Sequence, residues 1–399
     1  MPRSTRPRAF VHVGLPKTGT SYLQSVVWAN LAELRQQGLV VVPDPGPTAQ
    51  GKPGADVMLA ARGRLKPGRD PLTAEEVLGR FADDVAEAGD ADVLLSQEQL
   101  AGCTREQVRT LLERFGDREV HVVATARAVS RQVPSAWQER VKTRSTTPPE
   151  DFVKAVRDRT EEAHGFWRNQ DLPAVLARWG HTLPARQMHV VTVPATSGSD
   201  ELAARFFGVL GVDHRTLRAA EARSNSSLGA VQAELLRRVN VALGDRLPKP
   251  RLGYDRVGRW FLADKFLLAQ GGTPPLLPRS AEEWCHRLAE EWATTVREAG
   301  YDVAGDLADL QPDPSHFADS EADVADTSVL DSAVRALADI LAFRHEELAR
   351  LDALHARVAE LETQLQAQLG AQAQAVSPSA MESTRRGTWR ARVPWRGRR

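Results

Sequence analysis

One segment constrains this chain more than any other: Gly14-Leu15-Pro16-Lys17-Thr18-Gly19-Thr20-Ser21, set between a short apolar run and a long amphipathic stretch. Residues 9–13 read as a strand. Residues 20–37 read as a helix whose broad apolar face carries Tyr22, Leu23, Val26, Val27, Leu31 and Leu34. Glycines let the backbone turn sharply between the two, and the first N–H groups of the new helix have no acceptor within it. Such a terminus attracts an anion through those donors and through the helix dipole. Lys17 adds a mobile charge, and Thr20 and Ser21 add hydroxyls. A plain strand–helix turn capped by Thr18 or Thr20 is the simpler alternative. Lysine, glycine and two hydroxyls directly after an apolar strand favour phosphate. The segment is not a Walker A loop, because Lys17 precedes Gly19 instead of following it. The strand ending Leu94-Leu95-Ser96 also offers no acidic residue for Mg²⁺.

The rest of the first 310 residues alternates strand-like and helix-like segments. Strands are expected at 39–42, 93–96, 120–125 and 189–193. Helices are expected at 73–88, 104–115, most of 129–176, and from 201 to about 300. This alternation predicts an α/β domain over 1–310, a parallel sheet flanked by helices, with function at the carboxyl ends of its strands. Three segments fall there, after Val13, after Ser96 and after Thr125.

Charge and cysteine content exclude several classes. Lys+Arg and Asp+Glu number 52 each, so no global basic field points to nucleic acid. Two cysteines, Cys103 and Cys285, exclude a disulfide scaffold and multi-cysteine zinc sites. No apolar run reaches the length of a membrane span, and residues 9–13 are too short for a secretory core. The expectation is a cytoplasmic protein.

Local charge is less even. Eight acidic residues and no Lys or Arg lie between Asp302 and Asp326, and residues 311–328 read as an acidic linker. Apolar residues then recur at three- and four-residue gaps from Leu330 to Leu365, with Arg344 in the seam and a three-residue slip between Leu351 and Leu354. Residues 329–370 therefore read as an amphipathic helix or a coiled coil carrying a stammer, about 50 Å long, through which the chain could self-associate. Residues 371–399 read as a disordered basic tail. Its seven arginines from Arg385 onward, with Trp389 and Trp395, fit solvated disorder or weak contact with an anionic membrane surface.

Pro16-Lys17-Thr18-Gly19-Thr20-Ser21 resembles the 5′-phosphosulfate loop of sulfotransferases that use 3′-phosphoadenosine 5′-phosphosulfate (PAPS), a family with a P-loop NTPase-like fold. The resemblance covers roughly residues 8–300 and implies that Pro16 to Ser21 bind the donor, with Lys17 also catalytic. It further implies an arginine at a strand end and a serine eight residues later on the 3′-phosphate, roles that fall to Arg127 and Ser135. The stretch Ser135-Ala136-Trp137-Gln138-Glu139 looks like bacterial members of the family. Glu98, just past the third strand, matches the family's base by position and type, and His164 is its rival. The family's adenosine-contacting Arg-Lys-Gly loop is missing; Arg223 or Arg251 would replace it. Asn225-Ser226-Ser227-Leu228 resembles a C-terminal stretch of bacterial members. The implied reaction moves a sulfuryl group from PAPS to a hydroxyl or amine of a small-molecule or glycan acceptor, such as a carbohydrate or glycolipid, and calls for no metal. The alternatives are an atypical P-loop kinase, or a non-catalytic nucleotide-binding scaffold assembling through its C-terminal helix.

Overall fold

A strand apolar on both faces has to lie inside a sheet covered on both sides. β1 (Arg8–Gly14) does so: Ala9, Phe10, Val11 and Val13 are wholly buried. The computed structural model describes residues 6–44, 54–68, 70–195, 198–218, 227–247, 253–318 and 324–375. Within it, β1 pairs in parallel with β3 (Asp92–Ser96) on one side and β4 (Glu119–Ala126) on the other. β2 (Leu39–Val41) extends the sheet beyond β3. β5 (Met188–Thr192) and β7 (Asp302–Ala304) extend it beyond β4, giving the order β2-β3-β1-β4-β5-β7. β6 (Leu277–Pro278) and β8 (Phe317–Ala318) form a separate two-stranded piece.

Helices fill the crossovers. α1 (Thr20–Ala29) and α2 (Leu31–Gln36) follow β1, and α3 (Ala55–Ala61) and α4 (Ala74–Glu87) follow β2. After β3 comes α5 (Arg105–Leu112). After β4 come α6 (Val129–Lys142), α7 (Pro149–Arg157), α8 (His164–Gln170) and α9 (Leu172–Trp179). α10 (Ser199–Leu210), α11 (Ala230–Leu243), a π-helical segment (Asp255–Leu267) and α12 (Glu282–Glu298) lead to β7. Thr73 and Thr104 each begin their helix with a reciprocal capping box. The crossover from β1 runs toward β2, and the one from β4 runs toward β5. The carboxyl ends of β1 and β4 therefore flank the point where the strand order reverses, which is where open parallel sheets take ligands.

The structure departs from the sequence expectations in two places. The helix expected over 20–37 breaks at Asn30, whose side chain donates to the carbonyls of Val26 and Arg218. The body continues past residue 310: Leu310 and Phe317 are buried, and Phe317 pairs with Leu277. Just before it, the Asp-rich stretch is already tied to the sheet. Asp309 accepts from Thr192 Oγ1 at 2.7 Å and from Arg205 at 2.5 Å, and β7 completes the sheet. Residues 319–323 of the expected linker and 376–399 of the tail lie outside the described residues, as do Arg223, Arg251, Asn225 and Ser226.

The chain divides into two compact units, Met1–Ala333 and Val334–Arg399. The second unit carries most of α13 (Asp326–Ala375), on which Leu337, Leu341, Leu354, Val358 and Leu365 are exposed. No described helix is long and apolar enough to cross a membrane.

If residues 302–318 belong to the body, Asp309→Ala leaves Arg205 and Thr192 short of an acceptor and destabilises the fold by about 1–3 kcal/mol. Urea unfolding measures this, and an unchanged midpoint would mark the segment as a tether.

Candidate active site

At the carboxyl ends of β1, β3 and β4 opens a cavity of about 1160 Å³. Pro16, Lys17, Gly19, Thr20, Ser21, Glu98, Arg127 and Ser135 all line it. The sequence-expected residues thus come together, with two exceptions. Thr18 is wholly buried and turned away from the cavity. Its hydroxyl donates to the Leu15 carbonyl at 2.5 Å, so it shapes the loop and is not presented to a ligand. His164 is exposed at the start of α8 and does not line the cavity, although Gly165 and Phe166 beside it do. Of the two candidate bases, only Glu98 lines the cavity.

Backbone geometry builds the loop. Gly14 has φ of 102°, and a Cβ there would meet the Glu98 carbonyl oxygen at 2.8 Å. Gly19 has φ of 84°, and a Cβ there would meet Leu202 Cδ2 at 2.5 Å. Both positions favour glycine for conformation, and Gly14 needs it for space as well, because its obstacle is backbone. Leu15 N–H donates to the Thr125 carbonyl at 2.8 Å, and Gln170 Nε2 donates to the Pro16 carbonyl at 2.9 Å. The turn is tied to β4 and α8. Gly19 is the N-cap of α1, with no side-chain cap and no acidic residue in the first turn. The opening N–H groups of α1 are left for an anion.

Beneath the loop runs a buried chain of polar groups. Thr18 Oγ1 lies 2.5 Å from Thr125 Oγ1, His12 Nε2 lies 3.4 Å from the same oxygen, and His12 Nδ1 lies 2.8 Å from Ser96 Oγ. With Thr18 donating to Leu15, Thr125 donates to Thr18, His12 Nε2–H donates to Thr125, and Ser96 donates to Nδ1. That polarity requires a neutral imidazole. Burial agrees, pushing the His12 pKa from 6.5 down to about 3.

Positive charge dominates the cavity wall. Lys17, Arg62, Arg64, Arg127, Arg131, Arg140, Lys142 and Arg259 line it, against two carboxylates, Glu98 and Glu139. Lys17 sits at φ of 68°, with its ammonium 3.6 Å from Glu139 Oε2. Burial lowers its pKa, with Glu139 opposing the shift. Burial also resists ionisation of Glu139, but Lys17, Arg259 and Lys142 outweigh it and hold the carboxyl below its usual range. Glu98 is half-buried and accepts from the Thr20 hydroxyl. Arg127 donates to the Arg131 carbonyl at 2.8 Å, and its Nε has no partner. Burial, with Arg131 nearby, pulls its pKa down to about 9. Among the described residues, no carboxylate pairs with Arg127. Beside it, Ser130 Oγ lies 2.8 Å from His316 Nδ1, and both residues line the cavity.

Sequence reasoning missed Glu139, Arg131, Ser130 and His316. Glu139 stood inside a stretch already singled out, four residues beyond Ser135 and one turn along α6. His316 gave no signal, because it lay in the presumed linker. Among the described residues, no group of three or more His, Cys, Asp or Glu could hold a metal ion. Compared with known proteins, the chain matches no family model and has no significant match among curated proteins.

Because the folded chain resists protonating His12 while the unfolded chain accepts a proton near pH 6.5, stability should fall as pH drops from about 6.5 toward 3. Urea midpoints measured across that window should show a component of the slope that His12→Gln lacks. Parallel profiles for the two proteins would contradict a buried neutral imidazole.

Proposed function

We propose that the protein is a PAPS-dependent sulfotransferase whose body is a P-loop NTPase-like sulfotransferase fold. The observation that carries this reading is a pair of cationic, donor-rich points lining one cavity. One is the uncapped start of α1 with Lys17, and the other is the carboxylate-free Arg127 with Ser135. A donor with phosphate groups at its 5′ and 3′ positions would satisfy both. A simple nucleoside triphosphate would use only the first. The loop resemblance supports the same donor.

In this reading Glu98 takes the proton of the acceptor hydroxyl, and the acceptor oxygen forms a new bond to sulfur. The bond between sulfur and the bridging phosphate oxygen breaks, leaving adenosine 3′,5′-bisphosphate. Lys17 and the first N–H groups of α1 stabilise the negative charge that collects on that oxygen. Thr20, which holds Glu98 before the donor binds, is placed to turn its hydroxyl to the phosphosulfate. Glu139 acts on Lys17 as a positioning residue. Catalysis then rests on alignment and fixed charge, as in phosphoryl transfer.

Calorimetry should show adenosine 3′,5′-bisphosphate binding far more tightly than ATP; the reverse order would favour the kinase alternative. Lys17→Ala should cut transfer from labelled PAPS at least tenfold, since a charge-assisted contact contributes about 1.5–3 kcal/mol. Glu98→Gln should abolish transfer while leaving bisphosphate binding intact. A variant as active as the parent would take the base role from Glu98. Bisphosphate binding without transfer to any acceptor would favour the scaffold alternative.

The exposed seam of α13 supports self-association as a second property. Leu341→Glu combined with Val358→Glu should then reduce the mass measured by light scattering, and an unchanged mass would remove the seam from assembly.

A further inference from the structure

Arg62 stands apart from the cations that would serve the donor. It caps the end of α3, is 7% exposed, and still lines the cavity. Its Nη1 donates to the Gln99 carbonyl at 2.8 Å and lies 3.4 Å from Asn169 Oδ1. Its Nε has no partner, and among the described residues no carboxylate pairs with it. Burial, with Arg64 adding to it, lowers its pKa to about 10. The space it occupies is built for it. A Cβ on Gly102 would meet Asn169 Oδ1 at 2.4 Å and Arg62 Nη2 at 2.6 Å. A buried cation without a counter-charge is costly, and the contacts Arg62 does make are to neutral oxygens only, so an anionic ligand entering the cavity would offset that cost. The anchoring carbonyl belongs to Gln99, the residue after Glu98, so the guanidinium is tied to the same short segment as Glu98.

We infer that Arg62 is an anion subsite for the acceptor, which carries a carboxylate, sulfate or phosphate in addition to the hydroxyl presented to Glu98. This rests on the sulfotransferase reading. The fixed charge would select an acidic sugar or a comparable anionic alcohol over its neutral counterpart. The planar fork suits any of these three anions.

The test is a calorimetric titration of inorganic pyrophosphate into protein saturated with adenosine 3′,5′-bisphosphate. A further saturable site is expected. Arg62→Gln should weaken it at least tenfold with bisphosphate affinity unchanged, and Arg62→Lys should restore most of the loss. Absence of that site in the parent protein, or equal binding by Arg62→Gln, overturns the inference. Displacement of pyrophosphate by glucuronate, glucose 6-phosphate and glucose separates carboxylate from phosphate, and glucose competing as well as either acid also overturns it. If the bisphosphate itself fails to bind, the donor reading falls. Pyrophosphate titrated into the free protein then decides the matter for Arg62 alone, by whether Arg62→Gln loses binding.

Discussion

The turn from β1 into α1 is the constraint on which the rest depends. Two glycines in the left-handed region make the turn, and at Gly14 the backbone lies so close to the Glu98 carbonyl that no side chain would fit. That closeness sets Glu98 beside the loop, where it meets the Thr20 hydroxyl. It also starts α1 with its N–H groups uncovered. The neutral His12 under the loop and the Gln170 contact above it hold the same turn from both sides. The shape of the loop and the position of Glu98 both follow from one short piece of backbone.

A chain with equal numbers of acidic and basic residues has nonetheless placed eight cations around one cavity. Several are answered internally: Lys17 and Arg259 by Glu139, and Lys142 by Asp264. Among the described residues Arg62 and Arg127 have no carboxylate partner, and burial depresses the pKa of both. In a partly desolvated site such charges act over longer distances than on the surface, because solvent screens them less. The unanswered arginines come from different elements, the end of α3 and the end of β4. An anionic ligand bound by both would draw together parts of the chain that are distant in sequence.

Much of this was legible in the sequence, because short apolar strands and capped helices write their own pattern. β1, β3, β4 and β5 came from apolar runs, α4 from the helical stretch expected over 73–88, and the site loop from glycine, lysine and hydroxyl in order. β7 was missed because an Asp-rich stretch reads as solvated, while here Asp309 is satisfied by Arg205 from α10, 104 residues away in sequence. The same error hid His316. Thr18 and Thr20 are chemically alike, and only the fold shows that one faces the core and the other the cavity. Glu139 and Arg62 owe their importance to partners from remote elements, a relation that local spacing does not record.

Both outermost strands of the main sheet, β2 and β7, are only three residues long. A border so brief offers few free N–H and C=O groups to a stray strand, and Pro43 ends the β2 side two residues on. The open-edged sheet is thereby shielded from fibril-like stacking, even though its interior is rich in valine and leucine.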